Sequence, residues 1–119
     1  MQILRRTIYR VGMHQSSYYI LLSLHEEDRH GYGIAKRSEE LSDGRVKMTA
    51  GTLYGALDRL SNEDLIQVTR EERVEGRMRR YYRVTPKGRN LAAEEMQRLR
   101  AMAETGGRII GLEPGGAPA

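Results

Sequence analysis

Hydroxyl-bearing side chains alternate with glycines in the segment from Thr49 to Gly55. Two threonines and a tyrosine supply hydroxyl groups, and two glycines leave the backbone open to close approach. At the start of a helix, such short side chains can bond base edges in a DNA major groove while the helix N–H groups face a phosphate. An ordinary amphipathic helix is the alternative. The candidate DNA-contacting residues of this segment are Thr49, Gly51, Thr52, Tyr54 and Gly55.

A basic cluster follows between positions 70 and 89. It contains eight arginines and lysines against three glutamates, a net charge of +5, whereas the whole chain carries +4. Positive charge concentrated in one segment is expected of a surface that binds a polyanion. The alternative is a solvated hairpin whose Arg and Glu side chains pair across strands. Candidate phosphate or minor-groove contacts are Arg77, Arg79 and Arg80 in this cluster, and Tyr32, Lys36 and Arg59 outside it.

Residues for catalysis or metal binding form no recognisable constellation. The chain has no cysteine, which excludes disulfides, thiolate metal sites and a cysteine nucleophile. The histidines lack zinc-ligand spacing, and the carboxylates of Glu26, Glu27 and Asp28 are consecutive rather than held across a cleft. We therefore expect no enzyme, no cofactor and no metal. A solvated turn is favoured over a weak divalent-metal site at His25, Asp28 and His30.

The length of 119 residues and the hydrophobic content of 39% predict one domain with a modest core. No apolar run approaches membrane-spanning length, and the N-terminus lacks a signal-peptide layout. These features predict a cytoplasmic protein that does not associate with membranes.

Three apolar helices must position the candidate contacts. The first runs from Ser16 or Ser17 through Leu24, and the second from Gly31 to Leu41. The third is capped by Thr49, and its buried row leaves the opposite face to the hydroxyls and glycines. That row is Leu53, Ala56, Leu57 and Leu60. Residues 46–48, between the second and third helices, are short enough for an edge strand or an extended connector.

Beyond the third helix the pattern changes to that of strands. Residues 65–68 and 79–84 are rich in β-branched and aromatic side chains and enclose a charged stretch with Gly76. This pattern predicts a two-stranded antiparallel hairpin with its tip at residues 73–77. Because side chains alternate along a strand, Tyr81 and Tyr82 must face opposite sides, and so must Arg79 and Arg80.

Apolar residues in excess of what a small core needs occur near both ends of the chain. Thr85 caps a last helix with Pro86 at its first position, and the stripe of Leu and Met on this helix is long for the domain. Such a stripe favours a dimer seam, which an N-terminal helix would share. The candidate dimer residues are Ile3, Leu4, Ile8, Leu91, Met96, Leu99 and Met102. The Gly/Pro-rich residues 106–119 are predicted to be a flexible tail.

Three motifs in this order resemble those of a known family. HGYGIAKR at 30–37, TAGTLYGALDRL at 49–60 and EGRMRRYYRVTPKGR at 75–89 look like the short-form branch of the PadR family of winged helix-turn-helix transcriptional regulators. The resemblance implies a mainly α fold with a small β-hairpin wing. It also implies a winged helix DNA-binding domain at residues 16–85, with dimerisation helices at residues 1–15 and 86–105.

The chain departs from the family in two places. The family's wing usually has the sequence GRPRRYY, and Met78 replaces that proline, which leaves the tip less rigid. The chain has no Trp or Phe, so the binding of flat aromatic drugs against an interface tryptophan does not carry over. Candidate effector-contacting residues are Tyr9, Tyr18 and Tyr19, with ordinary packing as the alternative.

These features and the resemblance predict a homodimeric repressor that binds double-stranded DNA, and the resemblance implies that a small-molecule effector releases it. Two symmetric copies would recognise a pseudo-palindromic operator with half-sites about 34 Å apart. The alternative is a winged-helix protein-interaction module that docks an acidic protein without specific DNA binding. The small, hydroxyl-rich helix face lacks the apolar anchors of protein hot spots, Tyr54 excepted.

Overall fold

The structure is a computed structural model that describes residues 12–112. The predictions for Ile3, Leu4, Ile8 and Tyr9 therefore lie outside the described residues. The described elements are four helices and three strands: α1 (Gln15–Glu26), β1 (Arg29–His30), α2 (Gly31–Leu41), α3 (Ala50–Asn62), β2 (Ile66–Val74), β3 (Arg77–Val84) and α4 (Pro86–Ile110). The predicted mainly α fold with a small β wing is confirmed.

Helix α3 begins as its sequence predicts. The Thr49 hydroxyl oxygen accepts a hydrogen bond from the Thr52 backbone N–H at 3.2 Å, which satisfies a donor that has no partner inside the helix. The row of Leu53, Ala56, Leu57 and Leu60 is buried. Because full burial of a leucine side chain stabilises a fold by about 1.5–3 kcal/mol, this row fixes which face of α3 is turned outward.

The core lies among α1, α2, α3 and the sheet. Ile20 and Leu21 of α1 and Ile34 of α2 are fully buried and belong to one apolar cluster with the α3 leucines. Residues 46–49 carry no strand and form the extended connector, so of the two predicted alternatives the edge strand is wrong. The connector ends at Thr49, the N-cap of α3.

The sheet has three antiparallel strands in the order β1-β3-β2, not the predicted two. The added strand is the pair Arg29–His30, which lies opposite Tyr82 and Tyr81 of β3. It comes from the segment that the sequence indicated as an acidic turn. A two-residue strand is too short to show an alternating pattern, so its formation depends on β3 being beside it.

A β-bulge interrupts the β2–β3 ladder. Val68 pairs with Tyr82 and Arg70 with Tyr81, which leaves Thr69 as the extra residue on β2. The Thr69 hydroxyl donates to the Tyr81 carbonyl oxygen at 3.3 Å. We call the side of the sheet that carries Tyr82 the inner side and the side that carries Tyr81 the outer side. Tyr82 is 5% exposed and Tyr81 is half-buried, which confirms that the two face opposite ways.

The wing, residues 66–84, closes with a two-residue turn. Glu75 and Gly76 have φ angles of 51° and 79°, the pattern of the type I′ turn whose twist suits a hairpin. Val74 pairs with Arg77 next to the turn, and Met78 pairs with Arg73. The ladder therefore continues through the position where the family has proline.

Helix α4 starts as predicted but ends later. The Thr85 hydroxyl accepts from the Gly88 N–H at 3.0 Å and donates to the Asp64 carbonyl at 2.6 Å. The helix continues to Ile110, so residues 106–110, predicted as flexible tail, are helical. Glycine costs a helix about 1 kcal/mol per residue, but extending a formed helix requires no new nucleus, and Gly111 with a φ of 90° supplies the end.

The chain divides into two compact units. Within the described residues, one comprises residues 13–92, which include α1–α3, the sheet and the start of α4, and the other includes the rest of α4. In the described part of the chain, no helix is long and apolar enough to cross a membrane.

Candidate nucleic-acid interface

Two open grooves meet at a pair of exposed tyrosines. Tyr32 of α2 is 72% exposed and Tyr54 of α3 is 51% exposed. Both border a groove of about 550 Å³ between α2 and α3, which Lys36 also lines. Both also border a groove of about 800 Å³ toward the wing. The predicted contacts on α2 and α3 therefore share one surface.

The wing contributes its arginines to the second groove. Arg77, Arg79 and Arg80 line it together with the tyrosines of α2 and α3. Candidate residues that are far apart in the chain are thus brought together by three elements. The groove has a basic wall on the wing and a tyrosine wall on the helices, an arrangement suited to a polyanion with flat bases.

The first turns of α3 present an open backbone. A Cβ placed on Gly51 or Gly55 would meet nothing within 4 Å, so both glycines face free space. The hydroxyls of Thr49 and Thr52 are exposed and hydrogen-bonded to each other at 3.1 Å. This face permits the close approach that the sequence predicts.

The wing arginines differ in their partners. Arg80 forms an ion pair with Glu71 across the strands at 3.1 Å, and Arg83 forms one with Asp28 at 2.8 Å. Arg77 and Arg79 form no ion pair within residues 12–112. The alternative of a self-paired hairpin thus describes part of the basic cluster. Arg77 and Arg79 keep their charge available for a phosphate.

Arg59 is turned away from both grooves. Its Nη2 donates to the buried Ser17 hydroxyl of α1 at 3.0 Å. The structure therefore does not bring Arg59 together with the other candidate contacts. The side chain ties the C-terminal turns of α3 to α1.

His30 joins the sheet to α2 at the edge of the second groove. Its Nδ1 accepts from the Gly33 backbone N–H at 3.2 Å and caps α2, and its ring meets the Tyr81 ring edge-on. Burial lowers the pKa of His30, the Arg79 charge lowers it further, and Glu72 opposes the shift. A lowered pKa favours the neutral imidazole that the cap requires.

On the outer side of the wing, the polar groups around Tyr81 bond to one another. The Arg70 guanidinium lies 3.7 Å from the centre of the Tyr81 ring, and the Tyr81 hydroxyl donates to Glu72 at 3.0 Å. That hydrogen bond, with help from Arg70 and Arg79, lowers the pKa of Glu72. The groups around Tyr81 are thus bonded to one another, whereas Arg77 and Arg79 of the same strand form no ion pair within residues 12–112.

Six residues that line the second groove were not among the predicted contacts: His30, Gly31, Val74, Glu75, Met78 and Tyr82. Gly31 directly precedes the exposed Tyr32 in HGYG, but as the first residue of a predicted helix it shows no pattern that indicates a contact. No sequence pattern marks His30 as a cap, because histidine is not among the favoured N-cap residues.

The candidate effector tyrosines lie elsewhere. Tyr18 and Tyr19 of α1 are half-buried, their ring centroids are 6.0 Å apart, and neither lines the two grooves. The acidic turn also has other bonds: His25 is hydrogen-bonded to the Leu21 carbonyl at 2.8 Å. In the described range, no group of three or more His, Asp or Glu residues is placed to hold a metal ion.

The candidate dimer residues of α4 fall into two groups. Leu91 packs against the core cluster of its own chain. Met96, Leu99 and Met102 are exposed, Met102 by 58%. Ile109 and Ile110, predicted as tail, add further exposed apolar area on the same helix.

Comparisons with known proteins agree with this geometry. A model of the transcriptional regulator PadR-like family matches residues 20–94. A transcriptional regulator from Mycobacterium tuberculosis is 38% identical over 79 residues, which are 66% of this chain and 72% of that protein. A PadR family transcription regulator from Clostridium difficile has a TM-score of 0.68 at 25% identity, over 82% of this chain and 100% of that one.

A structure of Bacillus subtilis PadR in complex with operator DNA shares the fold. Its TM-score is 0.60 over 67% of this chain and 45% of that one, and the two sequences are 21% identical.

Proposed function

Since this chain belongs to the transcriptional regulator PadR-like family, whose members are regulators and not enzymes, we propose that it is a homodimeric repressor released from its operator by a small-molecule effector. The coarser class, a DNA-binding transcriptional regulator, follows from the family itself. Homodimerisation, the operator contacts and release by an effector are the proposal.

The observation that carries the proposal is the meeting of α2, α3 and the wing around Tyr32 and Tyr54. A B-DNA major groove about 12 Å wide admits a single helix. Helix α3 has its polar, glycine-bearing face outward and can enter such a groove, while the wing reaches the flanking backbone.

Each side chain has a role that follows from its chemistry. Thr49, Thr52 and Tyr54 bond base edges or phosphates through their hydroxyls, and Gly51 and Gly55 let the backbone approach. The remaining contacts are electrostatic or to phosphate: Arg77, Arg79 and Arg80 from the wing, and Tyr32 and Lys36 from α2. We assign Arg59 to the packing of α3 on α1, because its guanidinium bonds Ser17.

Dimerisation is supported by the exposed apolar residues of α4. Met96, Leu99 and Met102 follow one another at helical spacing, and a second copy of the helix would remove them from water. A two-fold dimer would then recognise the two half-sites of a pseudo-palindromic operator. Ile3, Leu4 and Ile8 remain predicted members of the same seam.

The effector contacts are proposed at Tyr18 and Tyr19 of α1, and Tyr9, which lies outside the described residues, remains a predicted contact. Tyrosine offers an apolar ring and a polar tip, which suits a pocket for a small aromatic or amphipathic molecule. The half-buried state of Tyr18 and Tyr19 on α1 supports this placement.

The proposed function is tested by fluorescence anisotropy with a labelled duplex from the gene's own upstream region. A scrambled duplex of equal length is the control, and both are measured at two salt concentrations. We expect tighter binding to the upstream duplex and a steep fall in affinity with salt.

Equal binding of the two duplexes would contradict an operator-specific regulator. Absence of binding to both at low salt would favour the second candidate, a module that docks an acidic protein through the exposed rings of Tyr32 and Tyr54.

A further inference from the structure

The ring of Tyr54 lies directly on the backbone of Gly31, the first residue of α2. A Cβ on Gly31 would be 2.8 Å from the Tyr54 hydroxyl oxygen and 3.1 Å from Cε1 and Cζ. Real Cβ atoms essentially never lie closer than 3.0 Å to another heavy atom, so no other residue type at this position is compatible with the observed ring. Gly31 is buried beneath the tyrosine while Tyr54 stays half exposed.

This contact fixes the direction of a side chain that otherwise has two free torsions. The ring borders both grooves, and its hydroxyl end is the part that touches α2. A base-edge hydrogen bond requires a donor–acceptor distance of about 2.5–3.0 Å for a hydroxyl, so the hydroxyl must be held in place to discriminate between bases.

We propose that Gly31 is a positioning residue that seats the Tyr54 ring, and that the Gly31–Tyr54 contact sets the DNA sequence preference through a base contact of the Tyr54 hydroxyl. The inference rests on the proposed function. Gly31 itself touches no base; it acts through Tyr54.

The geometry separates this role from a role in stability. The atom that would collide with an alanine Cβ is the far end of a flexible side chain, so the tyrosine moves and the backbone does not. Alanine is also a better helix former than glycine. Gly31→Ala is therefore expected to fold with an unchanged or higher melting temperature while the Tyr54 hydroxyl is displaced.

The chain offers a matched control two residues away. A Cβ on Gly33, in the same turn of α2, has its nearest contact at 3.5 Å from His30 Cε1, an ordinary van der Waals distance. Gly33→Ala makes the same chemical change without displacing Tyr54.

The test measures the ratio of affinities for the upstream and scrambled duplexes at two salt concentrations. We expect Gly31→Ala to lower this ratio at least about fivefold, the lower end of what one base contact supplies, and to leave the salt slope unchanged because no phosphate contact is lost. Gly33→Ala is expected to keep the wild-type ratio. Tyr54→Phe, which keeps the ring and removes the hydroxyl, is expected to reproduce the loss.

A double variant shows whether Gly31 acts through the tyrosine. In a Tyr54→Ala background, Gly31→Ala is expected to cause no further loss of the ratio. An additional loss in that background would overturn the positioning role, and a wild-type ratio for Tyr54→Phe would overturn the hydroxyl contact. Tyr54→Phe decides the hydroxyl contact even if Gly31→Ala fails to fold.

The outcomes also separate this inference from the proposed function. If the wild-type protein itself shows no preference for the upstream duplex, the proposed function fails and this inference fails with it. If the wild type shows the preference and Gly31→Ala, well folded, retains it, this inference alone is wrong.

Discussion

Gly88, in the first turn of α4, packs against the backbone carbonyl oxygen of Leu65 so closely that a Cβ would overlap it. The same carbonyl accepts a hydrogen bond from the Thr85 N–H at 3.0 Å, so it cannot move away without losing that bond. We expect Gly88→Ala to lower the free energy of unfolding by about 3 kcal/mol, because overpacking against backbone is not relieved by a side-chain rotation. The melting temperature should fall by about 10 °C or more.

The control for this variant lies on the same helix. A Cβ on Gly106 meets nothing within 4 Å, so Gly106→Ala should raise stability slightly through helix propensity. Thermal denaturation of both variants followed by circular dichroism checks the prediction. A melting temperature of Gly88→Ala equal to that of the wild type would show that α4 can shift away from Leu65.

Arg77 and Arg83 provide a test of the wing as a phosphate-binding element. Arg77 has no ion pair in the described chain, whereas Arg83 donates two hydrogen bonds to Asp28. Arg77→Ala is expected to weaken binding to all DNA sequences alike and to reduce the salt slope by about 1, because one phosphate contact is lost. Arg83→Ala should change neither. Identical salt slopes for Arg77→Ala and the wild type would remove Arg77 from the contact model.

The lowered pKa of His30 predicts that the stability of the fold depends on pH. Its pKa in the folded state is lowered from the ordinary value of 6.5, so below that pH the unfolded chain takes up a proton that the folded chain resists. Stability is therefore expected to be highest above pH 6.5 and to fall as the pH decreases toward the lowered pKa.

The His30→Asn variant isolates this effect. Asparagine is a favoured cap that does not titrate, so it should keep the cap of α2 and flatten the dependence below pH 6.5. Urea unfolding of both proteins across this range measures the difference. Equal slopes of stability against pH would show that His30 is not the responsible group.

Leu99 tests the proposed dimer seam. It is 38% exposed in the middle of the apolar row of α4, and a charge placed there would be buried without a partner in a dimer. Leu99→Glu is expected to shift the protein to monomer in sedimentation at micromolar concentration without lowering its helix content. Gln97→Glu, an exposed position outside the row, should leave the dimer intact. A dimeric Leu99→Glu would place the seam elsewhere.

The elements with strong local signals were predictable from the sequence. Thr49 as the cap of α3, Thr85 with Pro86 at the start of α4, and the opposite directions of Tyr81 and Tyr82 all follow from patterns within a few residues. Such patterns depend on local backbone chemistry, so neighbouring residues suffice to find them.

The features that were not predicted depend on contacts between distant segments. Strand β1 exists because β3 lies beside it, and the Arg59 guanidinium lies against α1 because the Ser17 hydroxyl accepts its hydrogen bond. Gly31 and Gly88 are required because they leave room for the Tyr54 ring and the Leu65 carbonyl, and no pattern of sequence spacing predicts these contacts. In each case the second partner is at least 20 residues away.

The unpaired Thr69 determines which side of the sheet the following residues of β2 face. Side chains alternate between the two sides of a strand. One extra residue therefore places every position from Arg70 to Val74 on the side opposite to the one that regular alternation from Val68 would give. If Thr69 were paired with Tyr81 in a regular strand, Glu72 would point to the inner side and Glu71 to the outer side. A relative that lacked Thr69 would have a regular ladder with these residues on the sides that they occupy here, whereas a relative that kept the residue and paired it would carry them on the opposite sides. The same sequence can thus present its side chains on either side of this wing, and the single bulge at Thr69 decides which side each following residue of β2 faces.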